Sequence, residues 1–304
     1  YQDIYNKKTS IVNTIQCAGN RRKEFNEKTN KKVLGLNWAG GAISTAEFTG
    51  IYLRDILKNI LDTNHNFNYI QFIGYDEPFD GSIIMNKNKA LDGDILLAYK
   101  MNNEYLTKET GYPLRVIVPG YSGAKNIKWL KKIILSDEES DSTWQKGVAY
   151  KNFGPNVTDF SQISEDDKKK IPTVEKLPVQ SIICDIDKNY KQENNKQVLK
   201  SLCIKGIAYS GGGNNIIRVE VSLDNGDKWI NAKLNEGSNQ PPYKAYAWTF
   251  WEANIPLGEN TNKELDIVCK ATDINYNTQP KDIKDIWNLR GILNNSWMRV
   301  KYSL

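Results

Sequence analysis

The chain has 304 residues, enough for roughly two domains, with 39% hydrophobic and 25% charged residues, the balance of an ordinary globular protein. No apolar run reaches the length of a membrane span and no signal-peptide pattern opens the chain. The net charge of +5 comes from lysines scattered among asparagines, with no basic stripe interleaved with aromatics, which argues against nucleic-acid binding while favouring small anions.

In chain order, Ile11 to Gln16 reads as a strand that leads to Cys17 in Gln16-Cys17-Ala18-Gly19-Asn20-Arg21-Arg22. A thiol followed by a glycine turn and two guanidiniums places a potential thiolate beside fixed positive charge, suited to a soft metal and an anionic substrate. A small buried cysteine ending a strand, with solvated arginines, would look the same in this heptapeptide alone. Gly50 to Leu61 reads as a helix with Leu53, Ile56, Leu57 and Ile60 on one face and Thr49 as its cap. Strands are expected at Tyr69 to Gly74, Ile95 to Met101, Arg115 to Pro119 and Ile127 to Leu135, with a hairpin turn at Asn102-Asn103. The single histidine, His65, falls in a polar stretch and reads as solvated. Asn152 to Lys176 is polar and irregular, with an acidic-then-basic run from Glu165 to Lys170, and reads as a crossing between domains.

Beyond it the pattern is strands with almost no helix: Val179 to Cys184, Leu202 to Tyr209, Ile216 to Leu223, Ala245 to Trp251, Leu265 to Ala271 and Trp297 to Tyr302. In the third, Ile217, Val219, Val221 and Leu223 alternate with polar residues, and Asp224-Asn225-Gly226 supplies a hairpin turn. Such a run predicts an immunoglobulin-like β-sandwich after a mixed α+β domain. Asp187 to Gln197 reads as a surface insertion. Cys184, Cys203 and Cys269 lie in apolar runs and read as core; no Cys-x-x-Cys pair suggests a zinc or disulfide framework.

Several segments together resemble the eukaryotic sulfite oxidases in order and spacing: the cysteine motif, Gly41-Ala42-Ile43-Ser44-Thr45-Ala46, Gly111 to Leu130, Tyr209-Ser210-Gly211-Gly212-Gly213, Arg218 to Asp224, and Ile286-Trp287-Asn288-Leu289-Arg290-Gly291. The resemblance runs nearly end to end. It implies an α+β fold, a molybdenum-cofactor-binding oxidoreductase domain over 1–172 and an immunoglobulin-like dimerisation domain over 173–304. It also implies a molybdenum cofactor (Mo-molybdopterin) with Cys17 as the protein's metal ligand, and oxidation of sulfite to sulfate. By the same resemblance Arg22, Trp38, Tyr150 and Arg290 would meet the substrate, while Asp76, Thr110, Arg115, Ser122, Gly123 and Lys128 would hold the cofactor. A homodimer, a mitochondrial location, and cytochrome c, dioxygen or a haem on another segment or partner as electron acceptor are the further implications.

Nitrate reductases share this cofactor unit but carry methionine at the position of Arg290, and an extra guanidinium favours dianionic sulfite over nitrate. The alternatives are a nitrate-reductase-like enzyme and a non-catalytic dimerisation relative, with Trp248, Phe250 and Trp251 as candidate contact aromatics. Three departures from the family pattern stand out. Thr110 replaces a histidine, Leu34 replaces a lysine, and the family's N-terminal cofactor segment, with a substrate arginine, has no counterpart before Tyr1.

Overall fold

The computed structural model describes residues 7–61, 66–76, 81–84, 90–91, 93–258 and 261–304; His65 lies outside them. By its internal packing the chain forms two compact units, one running to Leu177 and taking in Trp287–Asn294, the other Pro178–Ile286 with Asn295–Leu304.

In the first unit, strands β1 (Thr9–Gln16), β2 (Ile43–Tyr52), β5 (Leu96–Met101) and β6 (Glu104–Tyr105) lie side by side, with β7 (Arg115–Ile117) also paired to β5. β1 and β2 are antiparallel and register Gln16 against Ile43, so the strand ends where Cys17 begins. Successive residues of β5 point to opposite faces. Leu97 therefore joins a core of Leu53, Leu57, Phe67, Ile70, Phe72 and Val116, while Leu96 and Ala98 join Phe48 and Ile117. Both faces are covered, which is why the strand reads as a continuous apolar run. A second sheet orders β4 (Gly81–Ile84), β3 (Tyr69–Gly74) and β8 (Leu130–Ser136).

The helix expected over Gly50–Leu61 starts only at Leu53, because β2 continues to Tyr52. Helix α2 (Leu53–Ile60) follows α1 (Arg22–Lys28) and buries Leu53 and Leu57, but Ile60 is exposed and Thr49 caps nothing, its hydroxyl being paired with Ser10. β8 begins at Leu130 and not at Ile127, which instead packs into the core. The Asn102-Asn103 turn forms as expected, both residues having positive φ between β5 and β6.

Residues 152–176 fold back on the first unit: Asn152 N–H donates to Pro172 O, and Val174 N–H donates to Tyr150 O at 2.8 Å. Within this stretch the charged run forms helix α4 (Glu165–Lys170), capped by Ser164, after the short α3 (Thr143–Lys146). Its carboxylates occupy the first turn and its lysines the last, complementing the helix dipole.

The second unit is a sandwich of two four-stranded sheets. One orders β13 (Lys233–Leu234), β14 (Thr249–Pro256), β10 (Lys196–Tyr209) and β9 (Gln180–Glu193). The other orders β12 (Ile230–Asn231), β11 (Ile216–Ser222), β15 (Glu264–Asp273) and β16 (Met298–Ser303). Their inner faces share one core containing Leu202, Ile204, Val219, Val221, Trp251, Ile267 and Cys269.

Four expectations change here. Asp187–Gln197 is the distal part of a long β9–β10 hairpin turning at Asn194-Asn195, both with positive φ, so the polar run is paired strand. A register shift between Ile216 and Arg218 turns Ile217 outward, 43% exposed. Cys184 is exposed while Cys203 and Cys269 are buried. Trp251 is 1% exposed and belongs to the core, leaving Phe250 as the exposed aromatic of that pair.

Trp251 packs against Gly206, its direct partner across β10 and β14, and a Cβ there would meet the indole at 2.3 Å and Ile182 O at 2.1 Å. Gly206→Ala is expected to lower stability by about 1–3 kcal/mol through overpacking, measured by denaturant unfolding.

Candidate functional site

Cys17 stands at the head of a tight turn. Its N–H donates to Ala42 O, its carbonyl accepts from Asn20 N–H at 2.9 Å, and Gly19 N–H approaches its Sγ at 3.4 Å. The thiol is part-exposed and reduced. The two arginines that follow divide their work. Arg21, completely buried and in the left-handed region (φ 63°), caps α1 and pairs with Glu24 at 2.6 Å, so it serves the fold.

Arg22, 7% exposed, reaches across the first unit. Its Nε donates to the carbonyls of Arg290 (3.0 Å) and Gly291 (3.1 Å), and its Nη1 donates to Leu36 O (2.7 Å). Three glycines make room for it: a Cβ on Gly19 would lie 2.4 Å from Nη2, one on Gly35 2.8 Å from the guanidinium, and one on Gly291 2.8 Å from Cγ. Gly35 also has φ +126°, a backbone that side-chain-bearing residues avoid.

Arg290 donates from Nε to Ala149 O at 3.2 Å, gripping the turn that carries Tyr150. Burial lowers the pKa of both arginines; Cys17 and Tyr150 oppose this for Arg22, whereas neighbouring Arg22 adds to it for Arg290. Burial, then Cys17, raises the Tyr150 phenol, with Arg22 and Arg290 acting in the other direction. Cys17, Arg22, Tyr150 and Arg290 thus form one electrostatically coupled group. Trp38 is 44% exposed and stands outside both this group and the cavity lining, its carbonyl accepting from Lys23 N–H.

Beside them, a cavity of about 180 Å³ is lined by Asp76, Gly123, Ala124, Asn126, Ile127, Lys128, Trp144 and Tyr150. Three of the expected cofactor residues, Asp76, Gly123 and Lys128, therefore meet there. Ser122, fully buried, precedes them and its Oγ has no partner; Arg115 Nε and Asn20 Nδ2 are likewise buried and unpartnered among the described residues. Thr110 stands apart from the cavity lining. Its hydroxyl pairs with Thr107, and its carbonyl accepts from Arg115 Nη1 at 2.9 Å. Lys128 Nζ donates to Glu109 O at 3.0 Å.

Trp144, whose ring lies 5.6 Å from that of Tyr150, and Asn126, which ties Val118 N–H to Ser122 O, escape sequence reasoning. The only cue for Asn126 is the Gly120-Tyr121-Ser122-Gly123 turn before it; Trp144 lies in an unpatterned polar run.

A thiol, two guanidiniums, a carboxylate and unsatisfied buried donors together suit a soft metal and an anionic group. The unpartnered Ser122, Arg115 and Asn20 atoms are donors of the kind such a group takes up, although Tyr209 Oη and Trp251 Nε1, in the second unit, are unpartnered too.

Two domain families match: the oxidoreductase molybdopterin binding domain over residues 1–144 and the Mo-co oxidoreductase dimerisation domain over residues 171–304. Sulfite oxidase of Arabidopsis thaliana is 35% identical over 318 residues, covering 96% of this chain and 75% of that protein. The chain belongs to the sulfite oxidase family of molybdopterin oxidoreductases.

Mitochondrial sulfite oxidase of Homo sapiens is 41% identical over 310 residues, 98% of this chain and 53% of that protein; the family member described here spans about half the length of such relatives. In structure it matches the sulfane dehydrogenase SoxCD from Paracoccus pantotrophus with a TM-score of 0.74 at 24% identity, covering 99% of this chain and 70% of that one, which shows a common fold. The molybdenum cofactor is accordingly the group this family's site is built for.

Near the cavity Lys125, 2% exposed, donates to Gln145 Oε1 at 2.6 Å, and burial pulls its pKa from 10.5 down to about 8. The unfolded chain therefore binds this proton more tightly than the folded one between those values, and stability rises with pH across that window. Between pH 7 and 10 the wild type is expected to gain roughly 2 kcal/mol relative to Lys125→Met, measured by denaturant unfolding at each pH.

Proposed function

We propose that this chain oxidises sulfite to sulfate in a two-electron reaction at a molybdopterin-bound molybdenum held by Cys17. The observation that carries the reading is the coupling of one part-exposed thiol to the buried guanidinium of Arg22, the half-buried one of Arg290 and a phenol. When bound, the cofactor supplies the metal that accepts the electron pair and exchanges an oxygen atom with the substrate.

The chain's residues bind and orient. Arg22 and Arg290 stay protonated at neutral pH and supply positive charge for an incoming oxyanion where little water competes. Tyr150, its phenol kept protonated by burial, donates a hydrogen bond to a substrate oxygen. Trp38, exposed beside the Arg22-bound segment, forms a wall of the approach. Asp76 accepts from polar N–H groups of the pterin, while Lys128, Arg115, Ser122 and the cavity-lining backbone at Gly123 hold its phosphate; Thr110 acts through Arg115, whose guanidinium its carbonyl steadies. The unsatisfied atoms of Arg115 and Ser122 support this assignment.

In this reading the first 172 residues form the cofactor domain and residues 173–304 the domain through which two copies pair, apart from Trp287–Asn294, which bears Arg290 and packs with the first unit. The match to the dimerisation domain supports pairing, and exposed Phe250 offers it an aromatic contact. A mitochondrial location follows the human relative's name. Among the described residues no helix is long and apolar enough to cross a membrane.

Molybdenum near one per chain, with sulfite-dependent ferricyanide reduction, is expected for the wild type, and loss of both for Cys17→Ser; elemental analysis and the assay on the same samples check it, and metal retained by the variant would refute the ligand assignment. Arg290→Met is expected to lower kcat/KM for sulfite by roughly tenfold to a hundredfold through lost anion stabilisation, and unchanged efficiency would remove Arg290 from the substrate site.

A further inference from the structure

Beside the cavity and the Tyr150 turn lies a polar chain, buried except at Glu139, that neither ligation nor substrate binding uses. Lys125 (2% exposed) donates to Gln145 Oε1 at 2.6 Å; Gln145 (4% exposed) donates from Nε2 to Glu139 Oε2 at 3.0 Å; Glu139 Oε1 faces the ammonium of Lys151 (1% exposed) at 3.7 Å. We propose that Gln145 is a positioning residue, holding the turn that carries Tyr150 in register with the Ser122–Asn126 turn that borders the cavity. The proposal deepens the reading above, and only its kinetic arm rests on that reading.

The chemistry singles out an amide at this place. Glutamine accepts at one end and donates at the other, so it can stand between an ammonium and a carboxylate. A glutamate would accept from Lys125 but repel Glu139; a methionine would fill the space and leave both neighbours short of a partner. Each end of the chain is fastened to a functional segment. Lys125 N–H donates to Ser122 O, and Ser122 N–H donates to Glu175 O at 2.7 Å, so Lys125 sits within the turn beside the cavity.

At the other end Lys151 directly follows Tyr150 and bridges to Thr173, while Thr173 Oγ1 returns to Gln145 O at 3.0 Å. Trp144, next to Gln145 in α3, places its ring 5.6 Å from the Tyr150 ring. A shift of Gln145 therefore moves Trp144, Lys151 and, between them, the phenol. Glu175 and Glu139 both act on Lys125 to favour its charge, and Lys151 acts against it, so the group behaves as one electrostatic unit.

The test uses the full chain, loaded with cofactor, as wild type, Gln145→Met and Gln145→Glu, with amide hydrogen exchange as the primary readout. Gln145→Met is expected to speed exchange by roughly tenfold, the equivalent of one lost hydrogen bond, in residues 122–126 and 148–152, with the strands of the second unit unchanged. Gln145→Glu keeps the acceptor for Lys125 and loses the donor toward Glu139, so it should loosen 148–152 and leave 122–126 protected. In the kinetic arm, Gln145→Met should raise KM for sulfite several-fold at unchanged molybdenum content.

Exchange unchanged in both segments of Gln145→Met, or accelerated evenly throughout the first unit, would overturn the positioning role. Absence of sulfite turnover in the wild type would instead refute the proposed reaction, while the exchange pattern still decides the role of Gln145.

Discussion

The first unit depends on satisfying one buried guanidinium. Arginine keeps its proton at any pH the protein meets, so Arg22 cannot escape the cost of burial by becoming neutral. It must be surrounded by acceptors, and the acceptors it finds are backbone carbonyls of Leu36, Arg290 and Gly291. Those carbonyls belong to segments up to 269 positions away in the chain. Satisfying Arg22 therefore draws the strand end at Cys17, the 34–36 segment and the Arg290 turn to one place. Replacing the arginine would take this donor from the carbonyls of Arg290 and Gly291, leave Leu36 O with Trp38 N–H alone, and remove a charge.

The same economy recurs around it. Arg290 is oriented by a carbonyl next to Tyr150, and Asn126 by groups on either side of the cavity turn. Much of the candidate site is thus backbone held by side chains, and side chains held by backbone. Such double fastening pre-pays the entropy of ordering before a ligand arrives. Ser122 Oγ, Arg115 Nε and Asn20 Nδ2 are left within this framework as buried atoms with no partner among the described residues. Glycines at 19, 35 and 291 have a spatial reason for being glycine, since each would drive a methyl group into Arg22.

Local pattern was a good guide wherever one rule acted alone. The strand over Tyr69–Gly74 is bounded as expected, and the turns at Asn102-Asn103 and Asp224-Asn225-Gly226 have the positive φ angles that Asn and Gly accept. It erred where two rules competed. Gly50 to Tyr52 satisfies a helical period, yet pairing with β5 keeps it in the sheet until Leu53. The polar Asp187–Gln197 run lacks apolar alternation because its part of the β9–β10 hairpin has no buried face, so composition suggested an insertion where cross-strand hydrogen bonds make strand. One bulge reversed the direction of Ile217. The thiol of Cys184 escaped for the related reason that apolar neighbours do not reveal which side of a strand faces out.

From the sequence by itself came the cysteine followed by a glycine turn and paired arginines, the change from mixed to all-β pattern, and the ordered motifs that mark the family. Those are local facts, set by residue type and spacing. Which arginine serves the fold and which faces the thiol, that Trp144 leans on Tyr150, and that a glutamine joins two buried lysines through a carboxylate were decided only by the tertiary structure. The reason is physical: a buried charge is satisfied by whatever acceptor the folded chain brings within about 3 Å, and that partner can lie hundreds of residues away with nothing in the local sequence to announce it.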